Sequence, residues 1–94
     1  MDAPEHVDPL IHATLQKANY KIRKVTNKPL EYEYRHPDPN YLIFVSPKRE
    51  QVTVLFPYPK PESPLRGITV HQSEIDKLRK ILSRIHDYPE EELE

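Results

Sequence analysis

EYEYRHPDPNYLIFV, residues 31–45, sets the pattern on which the rest of this chain is built. Two runs rich in aromatic and apolar residues flank a break made of His36, Pro37, Asp38, Pro39 and Asn40. Read from Leu30, the first run has period two. Leu30, Tyr32 and Tyr34 share one side, while Glu31, Glu33 and Arg35 share the other, as in a half-buried antiparallel strand. The second run, Tyr41–Val45, is continuously apolar and suits a central strand covered on both faces or lying near the helices. Proline has no amide to give a ladder, and Asp and Asn favour turn backbone. HPDPN therefore reads as a hairpin turn rather than a binding or catalytic loop.

Beyond this hairpin, QVTVLF (51–56) alternates Val52, Val54 and Phe56 against Gln51, Thr53 and Leu55, and SPKRE (46–50) is the turn that leads into it. Upstream, YKIRKVTNKP (20–29) reads as a short basic strand with its break at Asn27–Pro29. Downstream, PYPKPESPLRG (57–67) reads as a stiff, extended connector to the last helix, and ITV (68–70) suits a short edge strand. Outermost are two helices. DPLIHATLQKANY (8–20) has Asp8 as its cap, Pro9 in the first helical position and Ile11, Leu15 and Ala18 at helical spacing, with Asn19 to end it. HQSEIDKLRKILSRIHDY (71–88) has Ser73 as its cap, Asp76 in the capping-box position and Ile75, Leu78, Leu82 and Ile85 as its buried stripe, and Pro89 stops it.

The expected fold is thus α+β: helix, antiparallel meander of three to four strands, helix, with the helices on one sheet face. The expected boundaries are an acidic segment at 1–7, one domain at 8–88 and an acidic tail at 89–94. Ninety-four residues, 36% of them hydrophobic, supply one modest core. No apolar run approaches the ~18 residues a membrane span needs, and the acidic, proline-broken start MDAPEHVDPL is unlike a secretory signal. Without cysteine there is no disulfide framework and no thiolate chemistry, and a cytoplasmic location is expected. A single glycine against eleven prolines leaves no way to write a phosphate-cradling loop.

Charge is informative by position. All fourteen Lys and Arg residues fall between Lys17 and Arg84, whereas Asp87, Glu90, Glu91, Glu92 and Glu94 crowd the last eight residues. A net charge of −1 therefore conceals a basic body between acidic ends. From this placement the tail is expected to compete weakly with polyanions for the basic face of the last helix.

Chemistry-bearing patterns are sparse. The five histidines lack ligand spacing, so no metal is expected and they read as isolated surface residues; no cofactor is expected either. His36, with Arg35 beside it and Tyr34 or Tyr41 across the hairpin, is the weak candidate for acid–base cleavage of RNA. The element order is similar to that of the HicA toxins, small ribonucleases with a double-stranded-RNA-binding-like fold. Those toxins place their histidine after Gly and Ser or Thr, and Tyr34–Arg35–His36 has neither. The leading expectation is a non-catalytic protein-interaction module or a homodimer. The alternative is a nucleic-acid binder, RNA or DNA, contacting phosphates through Lys48 and Arg49 of the turn, Lys77, Lys80 and Arg84 of the helix, and Arg35. The bland account of Lys77, Lys80 and Arg84 is a solvated helix face supported by an Asp76–Lys80 pair.

Overall fold

The computed structural model describes residues 6–86 and shows a helix, a five-stranded antiparallel meander and a second helix. Helix α1 spans Pro9–Lys17. The strands are β1 (Lys21–Asn27), β2 (Leu30–Arg35), β3 (Leu42–Ser46), β4 (Gln51–Pro57) and β5 (Leu65–His71), and α2 spans Ile75–Ile85. Strand order along the sheet equals chain order, so β1 and β5 are its edges. Of the expected acidic ends, most of 1–7 and all of 89–94 lie outside the described residues, as does Pro89, the expected helix stop.

Period-two alternation places the core on one sheet face. Tyr32, Tyr34, Ile43, Val45, Val52, Val54, Phe56 and Val70 are buried there against Ile11, Leu15 and Ala18 of the α1 region and Leu78 and Leu82 of α2. Asp8 caps α1 by accepting the Leu10 N–H at 2.8 Å. Asn19, at φ 69°, turns the chain in the left-handed region and drops Tyr20 into the core, fully buried. Tyr34 is also fully buried, and its hydroxyl lies 2.7 Å from Nδ1 of buried His12.

HPDPN is indeed a turn. The His36 N–H donates to the Tyr41 carbonyl at 3.3 Å, and Asp38 Oδ1 accepts the Asn40 N–H at 3.0 Å. Three other expectations need correcting. Residues 57–67 are not a crossing to the helix: β4 runs to Pro57 and β5 starts at Leu65, so the prolines close a further hairpin instead. That adds a full seven-residue edge strand in place of the three-residue ITV. Of the two settings expected for β3, the structure has the one near the helices: the strand is central and covered on one side, with Leu42 and Phe44 half-buried on the open face. On that face Leu55 lies across the lone glycine, where a Cβ on Gly67 would sit 2.9 Å from Leu55 Cδ2. Ser73 does not cap α2; the cap position is Glu74, whose carboxylate accepts the His71 N–H at 2.9 Å and pairs with Lys77 at 2.7 Å.

Glu31 and Glu33 are half-buried rather than fully wet. Glu31 accepts the Ser46 hydroxyl at 3.1 Å, and Glu33 accepts Arg35 Nε at 2.7 Å. Both still belong to the open face, so Glu31→Ala is expected to change stability by less than ~1 kcal/mol in a urea titration. An unfolded Glu31→Ala chain would mean that the two sheet faces are wrongly assigned.

Candidate functional site

One corner of the molecule gathers side chains far apart in sequence. His36 leaves β2 just as the turn begins, Tyr41 leads into β3, Tyr20 follows α1, and His86 follows α2. The imidazoles of His36 and His86 stack at 4.2 Å between centroids and 15° between planes. Tyr41 meets both edge-on, at 5.7 Å from His36 and 4.6 Å from His86. Tyr20 Oη lies 2.7 Å from His86 Nε2, which ties the end of α2 to the end of α1. Helix α2 ends here: His86 is extended (φ −140°, ψ 169°) where its ring enters the stack, before Pro89 is reached.

Burial sets the protonation of this corner. It holds His86 down to about 4, with the neighbouring His36 acting in the same direction and the Asp38 carboxylate opposing. His36 is also lowered, by burial against the same opposing charge. Its Nδ1 accepts the Asp38 N–H at 3.1 Å, a bond that only an unprotonated Nδ1 can accept. Burial likewise raises the Tyr20 hydroxyl. The neutral stack is therefore a structural clasp at ordinary pH.

Beside the clasp opens a groove of about 630 Å³ between α2 and the β4–β5 hairpin. Its floor is apolar, formed by Phe56, Ile68, Ile81 and Ile85, with Tyr41 and Tyr58 as aromatic walls and Lys60, Arg66 and Arg84 as cations. The groove continues between α2 and β5 through a second hollow that shares Ile68, Ile81 and Arg84 with the first and adds Lys77, Lys80 and Glu74. Among the described residues, five cations thus face one carboxylate, Glu74, which is already engaged with Lys77. Tyr58 and Ile68 are 55% and 40% exposed, so large apolar side chains meet solvent here beside positive charge. Arg66 lies 5.7 Å over the Tyr58 ring.

The edge of the sheet adds backbone. The Gln72 N–H donates to the Glu50 carbonyl at 2.7 Å, which fixes the hydrogen-bonding phase of the β4–β5 ladder. In that phase the N–H and C=O groups of Leu65, Gly67 and Thr69 point away from β4, on the sheet's outer edge. The opposite edge, β1, is defended by Lys21, Arg23, Lys24 and a register shift between Ile22 and Lys24.

The expected site residues do not form one track. Lys77, Lys80 and Arg84 come together along the groove. Lys48 and Arg49 sit on a single 3-10 turn between β3 and β4, at the sheet end away from the His36 turn. Arg35 is on the open face, bound to Glu33 rather than beside the His36 ring. Asp76 faces Arg79 at 3.8 Å, not Lys80. The histidines are not isolated either: His12, His36 and His86 are held by tyrosines, and His71 Nε2 is 3.1 Å from Glu50 Oε2. Among the described residues no group of three or more His, Asp or Glu side chains is placed to hold a metal ion, and no helix is long and apolar enough to cross a membrane.

Lys60, Arg66 and Tyr58 escape a reading of the sequence because their segment looks like a connector; a hairpin there places them opposite Arg84. No protein-family model, curated protein or solved structure matches the chain.

Proposed function

We propose that the chain is a non-catalytic interaction module whose groove between α2 and β5 takes an extended, acidic segment of a cytoplasmic partner protein. The observation that carries this reading is the convergence of Lys60, Arg66 and Arg84 on a floor of Phe56, Ile68, Ile81 and Ile85. Apolar side chains of a bound segment would fill the floor, and its carboxylates would meet the rim cations. The outward amides and carbonyls of Gly67 and Thr69 offer strand addition, a mode open to a peptide and closed to a nucleic acid.

Three competing readings fit less well. A nucleic acid needs cations along its path, and Lys48, Arg49 and Arg35 lie off this one. A second copy paired through β5 would bring Arg66, Arg84, Lys77 and Lys80 of both chains together, a juxtaposition of like charges. Acid–base cleavage by His36 has no support from its surroundings: Arg35 is turned to the other face, and the His36 ring is packed in the clasp.

The test is fluorescence anisotropy with a labelled dodecapeptide that alternates Glu with Ile and Tyr, run beside a labelled single-stranded dodecanucleotide. The peptide is expected to bind, and Arg66→Glu with Arg84→Glu to weaken it by at least ~10-fold. Lys48→Glu with Arg49→Glu should leave it unchanged. If the oligonucleotide binds and the peptide does not, the nucleic-acid reading replaces this one.

A further inference from the structure

Of the features outside the groove, the clasp points to a second one, because it fixes where the next stretch of chain begins. His86 is pinned by Tyr20 at 2.7 Å and by the stack on His36, and its neighbours Arg84 and Ile85 line the groove. The described part of the chain therefore stops beside the groove. From there the sequence runs DYPEEELE, residues 87–94, with five carboxylates, one tyrosine and one leucine.

We infer that residues 87–94 are the groove's own ligand in cis: an acidic pseudo-partner that occupies the α2–β5 groove and must be displaced by the true one. This rests on the groove being a site for acidic segments, as proposed above. Three observations carry it. Composition matches: the segment supplies carboxylates for Lys60, Arg66, Arg84 and Lys80, and Tyr88 and Leu93 for an apolar floor. Reach is sufficient, since eight extended residues span up to ~28 Å, whereas Lys77 to Arg84 along α2 covers only ~10 Å. Tethering supplies the rest. A short linker gives an effective concentration of about 1 mM, so a contact far too weak to matter between separate molecules still fills the groove much of the time. The clasp keeps that linker short by holding His86 beside the groove.

The consequence is regulation by competition. A partner must displace a tethered acidic segment, so weak acidic peptides and stray polyanions are screened out, while a segment with better apolar anchors succeeds. Salt weakens the tethered contact, because exposed charges are screened beyond ~8 Å at physiological ionic strength.

The experiment compares the full chain with one truncated after Asp87, which keeps α2 and the clasp and moves the net charge from −1 to +3 by loss of Glu90, Glu91, Glu92 and Glu94. Truncation is expected to tighten binding of the labelled Glu/Ile/Tyr dodecapeptide by ~3- to 10-fold at low salt, with the gain fading at ~0.5 M salt. In the second arm, labelled DYPEEELE is titrated directly into the truncated chain. It is expected to bind in the range of roughly 0.1–1 mM, near the effective concentration it has in cis, and to lose binding in Arg66→Glu with Arg84→Glu. Measurable dodecapeptide binding that is equally tight in full and truncated chains, or no DYPEEELE binding at millimolar concentration, overturns the inference. A chain that binds DYPEEELE but no dodecapeptide would instead sink the partner reading while leaving the cis contact in place.

Discussion

Leu82→Ala is expected to lower stability by ~2–5 kcal/mol, a large fraction of what a domain of this size holds. Leu82 is fully buried, and with Leu78 it forms the fully buried part of the α2 stripe; Ile75, Ile81 and Ile85 are only partly covered. Truncation removes three carbons from a site in the same core as Ile43 and Val54 of the sheet, and a helix held by so few anchors cannot sink to fill the gap. Against a total of ~5–15 kcal/mol for a domain of this size, that loss is large. The effect reaches function, because α2 is one wall of the groove. A urea midpoint should fall with the slope unchanged, and binding of the acidic dodecapeptide should weaken in proportion to the unfolded fraction. A stability change below ~1 kcal/mol would mean that α2 does not dock through Leu82.

The same buried stripe shows how far periodicity reaches. Ile75, Leu78, Leu82 and Ile85 repeat at helical spacing, and Tyr32 and Tyr34 alternate with glutamates, so period alone delivers both helices, the central strands and their faces. Period fails for β5. LRGITVH is exposed along most of its length, with Val70 alone buried, so an edge strand leaves almost no alternation to read. Pro57, Pro59, Pro61 and Pro64 then make the stretch before it look like a connector, although it is a hairpin. The candidate site is harder still. Lys77, Lys80 and Arg84 are legible as a helix face, but Lys60 and Arg66 join them only through the β4–β5 pairing. The clasp unites Tyr20, His36, Tyr41 and His86, and contacts spanning 66 residues, such as Tyr20 to His86, arise from tertiary packing alone.

Lowering the pH from 7.5 to 5.0 is expected to cost about 1–2 kcal/mol of stability through the clasp alone, after allowing for solvent around a half-buried ring. His86 sits at about 4 in the folded chain against 6.5 for a free histidine. The unfolded chain therefore binds the proton first as pH falls. The stabilising contribution is whole above 6.5, drains away between 6.5 and about 4, and changes no further once the folded chain also protonates. Among the described residues, the groups facing His86 are Tyr20 after α1 and His36, Asp38 and Tyr41 of the β2–β3 turn. His36, lowered too, adds to the loss, whereas the Asp38 carboxylate softens it. His12, lowered by burial in α1, contributes to the same slope from elsewhere, so the comparison must be with His86→Gln, which keeps His12 and His36 and removes only the His86 titration. Denaturation of both chains at pH 7.5 and 5.0 should show a shallower pH slope for His86→Gln, and ring-proton NMR should find His86 titrating well below 6.5. A His86 that titrates near 6.5, or equal slopes in the two chains, would rule out the clasp as the source of the acid sensitivity. A proton on His86 would put positive charge against the His36 ring stacked on it at 4.2 Å, which is one reason the folded chain takes up that proton only near 4.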